Sequence, residues 1–310
     1  MKKITALLIL AAFILSAAAC GKSAGGGASS SDTPTASSIG NFNFTKDTYP
    51  KMGGSLAALP LGEAVTATVL GLDRDTASSM ITFEGSTTDN YVALADGKFD
   101  ILLAYEPSEE AKEYAKNKNF EYEMTPIGVD ALVFICSIKN KISSLTVDQI
   151  KDIYTGKTTN WKDVGGSDME IVPYQRNKDS GSQTLFDKLI NLGDDLMTPP
   201  KEQIVESMIG LLEAIADYDG AEGSLGYTVY YYLTNMEASK LETSKILSVD
   251  GVVPSNETIG SGEYPLSNDF YVVISKKAPE DSPERILYNW ICSEQGKQLV
   301  VNENYPVRTK

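Results

Sequence analysis

The sequence predicts an α/β protein with mostly parallel sheets, built as two lobes. Short apolar runs of strand character, at residues 100–105, 131–137, 171–174 and 270–274, alternate with segments whose apolar residues recur at helical spacing. A length of 310 residues exceeds what one hydrophobic core usually organises, which makes two lobes the default. A hydrophobic share of 42% and a charged share of 22% are those of a folded globular body.

The chain opens with the basic head Met1-Lys2-Lys3, an apolar stretch over 4–19 and the small residues Ala17-Ala18-Ala19 before Cys20. This is the pattern of a secretory signal peptide, residues 1–19, with an apolar core too short to span a bilayer comfortably. Cys20 followed by Gly21 resembles a bacterial lipobox, with Ala17 where leucine is usual. Cys20 is therefore the expected lipidation site, anchoring the chain to the extracytoplasmic face of the cell membrane; an ordinary cleaved signal or an uncleaved anchor is the alternative. Residues 20–40 are rich in Gly, Ser, Ala and Thr and nearly devoid of large apolar residues, the composition of a flexible tether. Folding is expected to start near Asn41.

Three segments share one plan, a short apolar run, then glycine and hydroxyl residues, then a helix. The first is Gly53-Gly54-Ser55-Leu56 ahead of 57–61. The second follows a strand at 81–83, with Gly85-Ser86-Thr87-Thr88 ahead of the helical 91–95. The third is Ser180-Gly181-Ser182 ahead of Leu185-Phe186. The first turn of a helix carries N–H groups without intrahelical acceptors and the positive end of the macrodipole, so it favours an anion. Arg176, one of four arginines in the chain, precedes the third segment and can grip an oxyanion with two parallel hydrogen bonds. Each segment read alone is also an ordinary capped turn. Glu106, at the carboxyl end of the strand at 100–105, is held extended by Pro107, in the place where open α/β sheets put ligands.

The remaining elements complete the alternation: a capped helix at 146–154 ending at Gly156, a helix at 202–218, a strand at 223–227 running into a helix at 228–233, and one closing amphipathic helix at 284–301. The tyrosines of 227–232 are read as core. Cys136 and Cys292 are read as two buried free thiols.

Charge and composition narrow the functions. The net charge is −15, and loss of residues 1–19, which carry two lysines and no acid, takes it to −17. Such a surface repels anions and nucleic acid at long range, so anion recognition has to be local. With no histidine, a Ser-His-Asp triad, a Cys-His pair and a His-Glu-x-x-His zinc helix are all excluded. No catalytic residue, metal site or cofactor is expected.

The chain resembles the phosphate-binding proteins of bacterial Pst-type uptake systems, in the class II periplasmic-binding-protein fold. The resemblance rests on Tyr49-Pro50, Gly54-Ser55, Pro60-Leu61, Gly85-Ser86-Thr87 and the stretch from Asp100 to Pro107. It rests also on Gly226-Tyr227 and, most specifically, on the block from Leu145 to Ser182 with Ile153-Tyr154, Gly156, Asn160-Trp161 and Arg176. It implies two crossover hinge strands joining lobe 1 (41–128 and 248–310) to lobe 2 (129–247), with phosphate between them. By position it implies contacts from Gly54, Ser55, Leu56, either Ser86 or Thr87, Glu106, Arg176, Ser180, Gly181 and Ser182. Leu56 stands where the family usually has a hydroxyl, so that contact is one of backbone. Glu106 would accept the proton that phosphate keeps and sulfate lacks.

The implied function is a monomeric, lipid-anchored solute-binding protein that hands inorganic phosphate to the permease of an ABC importer. The same fold could instead bind another oxyanion such as sulfate, molybdate or a phosphorylated metabolite, or serve as a non-transport sensor or adhesin. A surface hydrolase would need a nucleophile and base that the sequence does not show.

Overall fold

The computed structural model describes residues 43–83, 85–216 and 221–309. The expected signal peptide (1–19), tether (20–40), lipidated Cys20 and the start of folding at Asn41 lie outside the described residues, as does Tyr218, the end of the helix expected from 202.

The main sheet is ordered β1-β2-β11-β3-β8-β5. β1 (Met52–Gly54) pairs in parallel with β2 (Ile101–Ala104). The long strand β3 (Tyr122–Ser137) is followed by two short strands, β4 (Ser144–Leu145) and β5 (Val172–Pro173). Next come β6 (Gln175–Arg176), β7 (Ile204–Val205), β8 (Ser224–Val229), β9 (Ser244–Ile246), β10 (Ser248–Val249) and β11 (Ser267–Ser275). The sheet is mixed rather than mostly parallel. Its outer pairs, β1 with β2 and β5 with β8, are parallel as expected, while β11 runs antiparallel to β2 and β3, and β3 antiparallel to β8 and β9. The antiparallel pairs centre on the two long strands, which pass through the middle instead of belonging to a local strand-helix-strand unit.

β3 changes partners along its length. Residues 122–131 pair with β11, and residues 132–137 pair with β8 and β9. The strand begins nine residues before the expected 131. Pro126 and Gly128 read as strand breakers, yet Pro126 lies opposite Tyr271, where the register with β11 shifts, the kind of irregularity that tolerates a proline. Gly128 admits the Phe270 ring, which a Cβ would meet at 2.3 Å.

Four elements depart from expectation. No strand forms at 81–83; Thr82 makes one backbone bond to Met52. The helix expected from 202 starts at Met208, because 201–203 is a single 3₁₀ turn leading into β7. The closing helix is two helices, Pro283–Ile291 and Glu294–Asn302, since the Ser293 side chain accepts from the Gly296 N–H and caps a fresh start. The helix expected at 228–233 starts two residues late: β8 continues to Val229, residues 230–231 are helical, and a π turn follows at Tyr232–Met236. The core holds Trp161, and Tyr154, Phe134, Phe186 and Tyr227 pack there in edge, tilted and stacked ring contacts, as expected for Tyr227. Both cysteines are free; Cys136 is buried, which pushes its thiol up to about 12, and Cys292 is partly buried.

Asp130 sits beside the point where β3 changes partners. Fully buried, it accepts hydrogen bonds from the Tyr105 hydroxyl at 2.6 Å, the Ala131 N–H at 2.7 Å and the Tyr231 N–H at 3.0 Å. Burial outweighs these bonds and raises its carboxyl from 3.8 to about 6. Between those two values the folded chain holds a proton that the unfolded chain has lost, so Asp130 favours folding at low pH and its contribution disappears as pH rises through about 6. The change is on the order of 3 kcal/mol. Asp130→Asn should lack this slope, so its stability relative to the parent should increase from pH 4.5 to pH 7 in thermal melts. A constant difference between the two proteins across that range would show that Asp130 does not titrate there.

Candidate functional site

Four segments, each ending where a helix or helical turn begins, converge on a cavity of about 410 Å³. At the first, β1 stops at Gly54 and Ser55 opens a 3₁₀ turn (Leu56–Ala58) that leads into a helix at Leu59–Leu70. The Ser55 side chain makes no capping bond of its own. Its Oγ instead accepts from the Tyr105 N–H at 3.2 Å and lies 3.1 Å from Thr87 Oγ1. One hydroxyl hydrogen fills the bond between Ser55 and Thr87, and the other is free to turn into the cavity.

The second segment starts the helix Thr87–Ala95. Ser86 caps it in a capping box: Ser86 Oγ accepts from the Asp89 N–H at 3.1 Å, while Asp89 Oδ2 accepts from both the N–H and the hydroxyl of Ser86 at 2.8 Å. The Ser86 hydroxyl is thus engaged by Asp89, whereas the hydroxyl of buried Thr87 pairs, among the described residues, only with Ser55. Of the two residues the sequence left open, Thr87 is the one with a hydroxyl available.

The third segment starts α6 (Gly181–Ile190), the sixth α-helix among the described residues. Ser180 Oγ accepts from the Gln183 N–H at 3.1 Å. A Cβ at Gly181 would lie 2.6 Å from Thr87 Oγ1, so glycine is what lets these two helix starts meet across the cleft. The fourth segment was not foreseen. Ser207 Oγ accepts from the Gly210 N–H at 3.0 Å at the start of the helix Met208–Ala216, so that N-terminus also faces the cavity. The signal was a serine directly before the apolar run from Met208, hidden by placing the helix start at 202.

Arg176 lies among these segments and is 7% exposed. Its Nε donates to Val205 O at 2.9 Å, Nη1 to Ser182 Oγ at 3.1 Å and Nη2 to Glu206 O at 2.9 Å. A guanidinium has five N–H groups, so two remain for a ligand. Every acceptor it has is neutral. The other three arginines each pair with a carboxylate: Arg74 with Glu63 and Glu303, Arg285 with Glu123, and Arg308 with Asp269. Among the described residues, Arg176 has none. Burial without a counter-ion pulls its ionisation down to about 10, still charged at neutral pH.

Of the ten residues expected to contact ligand, Gly54, Ser55, Leu56, Ser86, Thr87, Arg176, Ser180, Gly181 and Ser182 line this cavity. Glu106 does not. Its Oε1 accepts from Lys188 Nζ at 2.6 Å and from the Tyr271 hydroxyl at 2.9 Å, and Tyr105 lines the cavity instead. The cause is strand alternation. Ile101, Leu103 and Tyr105 belong to the main core on one face of β2, while Leu102 and Ala104 pack in a second cluster with Val273 on the other face, which Glu106 continues. Asn177 and Asp179, between Arg176 and Ser180, also line the cavity. Among the described residues no cluster could hold a metal ion, and no helix is long and apolar enough to cross a membrane.

Comparison with known proteins places the chain. Residues 51–292 match the family described as the PBP superfamily domain. The phosphate-binding protein PstS of Bacillus subtilis (strain 168) is 28% identical over 265 residues, covering 85% of this chain and 80% of its own. The PstS of Borreliella burgdorferi is 29% identical over 200 residues, covering 64% of this chain and 67% of its own. Among solved structures, a phosphate ABC transporter substrate-binding protein with bound phosphate, from Clostridium perfringens, superposes with a TM-score of 0.65 at 24% identity, covering 84% of this chain and 99% of its own. An ABC-type phosphate transport receptor from Vibrio cholerae gives 0.61 at 20% identity, covering 82% and 98%. The match spans all four segments around the cavity, and the chain belongs to the PBP superfamily, the periplasmic-binding-protein class that its sequence resembles.

Proposed function

We propose that this chain is an extracytoplasmic solute-binding protein that captures inorganic phosphate for an ABC importer, held at the membrane by a lipid on Cys20. The observation that carries the reading is Arg176, a buried cation with no carboxylate partner in a cavity ringed by helix N-termini. A buried unpaired charge is costly, and an anion in the cavity would offset that cost. The names of the relatives support phosphate as that anion. In this reading 41–128 with 248–310 form one lobe and 129–247 the other, and they close over the ligand as a hinge. Among the described residues three carboxylates line the cavity; Asp89 is engaged by Ser86, which leaves Asp179 and Glu206 to accept the proton that phosphate retains.

Calorimetric titration of phosphate and sulfate into the stripped protein tests the proposal. One phosphate should bind per chain, and sulfate should bind far more weakly. Absence of phosphate binding, or equal binding of sulfate, would overturn it; an unmodified Cys20 in the mass of the N-terminal peptide would remove the lipid anchor.

A further inference from the structure

Glu106, Lys188, Asn268 and Tyr271 make a polar cluster outside the cavity. Lys188 Nζ donates to Glu106 Oε1 at 2.6 Å and to Asn268 Oδ1 at 2.7 Å, and the Tyr271 hydroxyl donates to the same Glu106 oxygen at 2.9 Å. Lys188 and Glu106 are each served by two partners, and Asn268 is 3% exposed. This separates the cluster from an isolated surface ion pair, which contributes little.

Lys188 lies on α6, seven residues after Gly181. Seven residues are close to two helical turns, so both positions fall on one face, about 10 Å apart. That face presents Gly181 to Thr87 at its start and Lys188 to Glu106 near its end, and Thr88 N–H reaches Asp179 O at 3.4 Å beside the first contact. Glu106, Asn268, Tyr271 and Thr87 all belong to the lobe opposite α6 in the proposed division. A rigid-body opening that withdraws Gly181 from Thr87 must also pull Lys188 away from Glu106.

We propose that Glu106 and Lys188, with Asn268 and Tyr271, are positioning residues that latch α6 across the cleft, setting how tightly the anion is held without touching it. The proposal rests on the reading of the cavity as a phosphate site closed by lobe movement. Interactions made only in the closed state add their free energy to ligand binding, whichever anion is bound. The latch therefore changes affinity and residence time and leaves selectivity alone.

Phosphate and arsenate serve as probes for the full-length protein and for Glu106→Gln, Lys188→Met and the charge swap Glu106→Lys with Lys188→Glu. Either single change should weaken both anions about fivefold, with faster dissociation and an unchanged phosphate-to-arsenate ratio. The swap should recover most of the loss, which a merely structural role of either side chain would not allow. A changed ratio would mean that Glu106 touches the ligand, and unchanged affinities or a failed swap would mean that there is no latch; each result overturns the proposal. If the parent protein binds neither anion, the phosphate reading fails on its own, and small-angle scattering then decides the latch. Lys188→Met should enlarge the radius of gyration of the unliganded protein, and an unchanged radius refutes the latch.

Discussion

Arg176→Ala is expected to weaken phosphate binding by at least about thirtyfold, the low end of the loss caused by removing one partner of a buried charge-assisted pair. Among the described residues two of the guanidinium N–H groups have no acceptor and the charge has no counter-ion, so in the proposed reading both serve the ligand. The other three N–H groups tie Val205 of β7 and the adjoining Glu206 to Ser182, so the same side chain also shapes the wall it charges. Arg176→Lys separates the two roles: lysine keeps the charge as a single point but cannot reach Val205 O, Glu206 O and Ser182 Oγ together. It should retain part of the affinity, measured by calorimetry beside alanine. Arg74→Ala is the control, since Arg74 is partly exposed and already paired with Glu63 and Glu303. Equal losses from Arg74→Ala and Arg176→Ala would place the anion elsewhere.

An acidic chain binding an anion is no contradiction at this range. Charges on the surface of a −15 protein are screened over roughly 10 Å at ordinary salt, while N–H groups and one guanidinium act at contact distance inside the cavity. Long-range repulsion bears on the rate of encounter, and local dipoles decide what stays bound.

The helix starts at Ser86 and Ser180 were legible because a cap is a local device: a hydroxyl, its N–H partner three residues on and the apolar run after it sit within one short window. Arg176 was legible as scarce. What the sequence could not show depended on contacts between distant segments. Glu106 was placed correctly at a strand end, but the direction of its carboxylate follows from which face of β2 meets the cavity, and its partner Lys188 lies 82 residues away. A one-residue difference in parity separates Tyr105, inside the cavity, from Glu106, outside it. The early start of β3 was hidden in the same way, because the register shift that accommodates Pro126 belongs to β11 as much as to β3. The helix start at Ser207 was lost to an apolar pattern that runs through β7 without interruption.

Gly54→Ala is expected to damage fold and site together. Gly54 ends β1 opposite Leu103 with φ of 155°, a backbone angle that residues with side chains rarely adopt. A Cβ there would lie 2.0 Å from the Leu103 carbonyl oxygen, which is rigid backbone within the sheet and cannot swing aside as a side-chain tip could. The same carbonyl accepts the Ser55 N–H at 2.9 Å, so displacing it moves the residue whose hydroxyl meets Thr87. Backbone strain and overpacking of this kind cost on the order of 3 kcal/mol. The thermal midpoint should fall by several degrees, and phosphate affinity should fall in the fraction that remains folded. Gly97→Ala is the comparison: φ is 71°, also a left-handed angle, but no atom lies within 4 Å of the added Cβ, so it carries the conformational strain without the clash. If both variants lose the same stability and neither loses affinity, then the close approach of Gly54 to Leu103 does not hold Ser55 in the site.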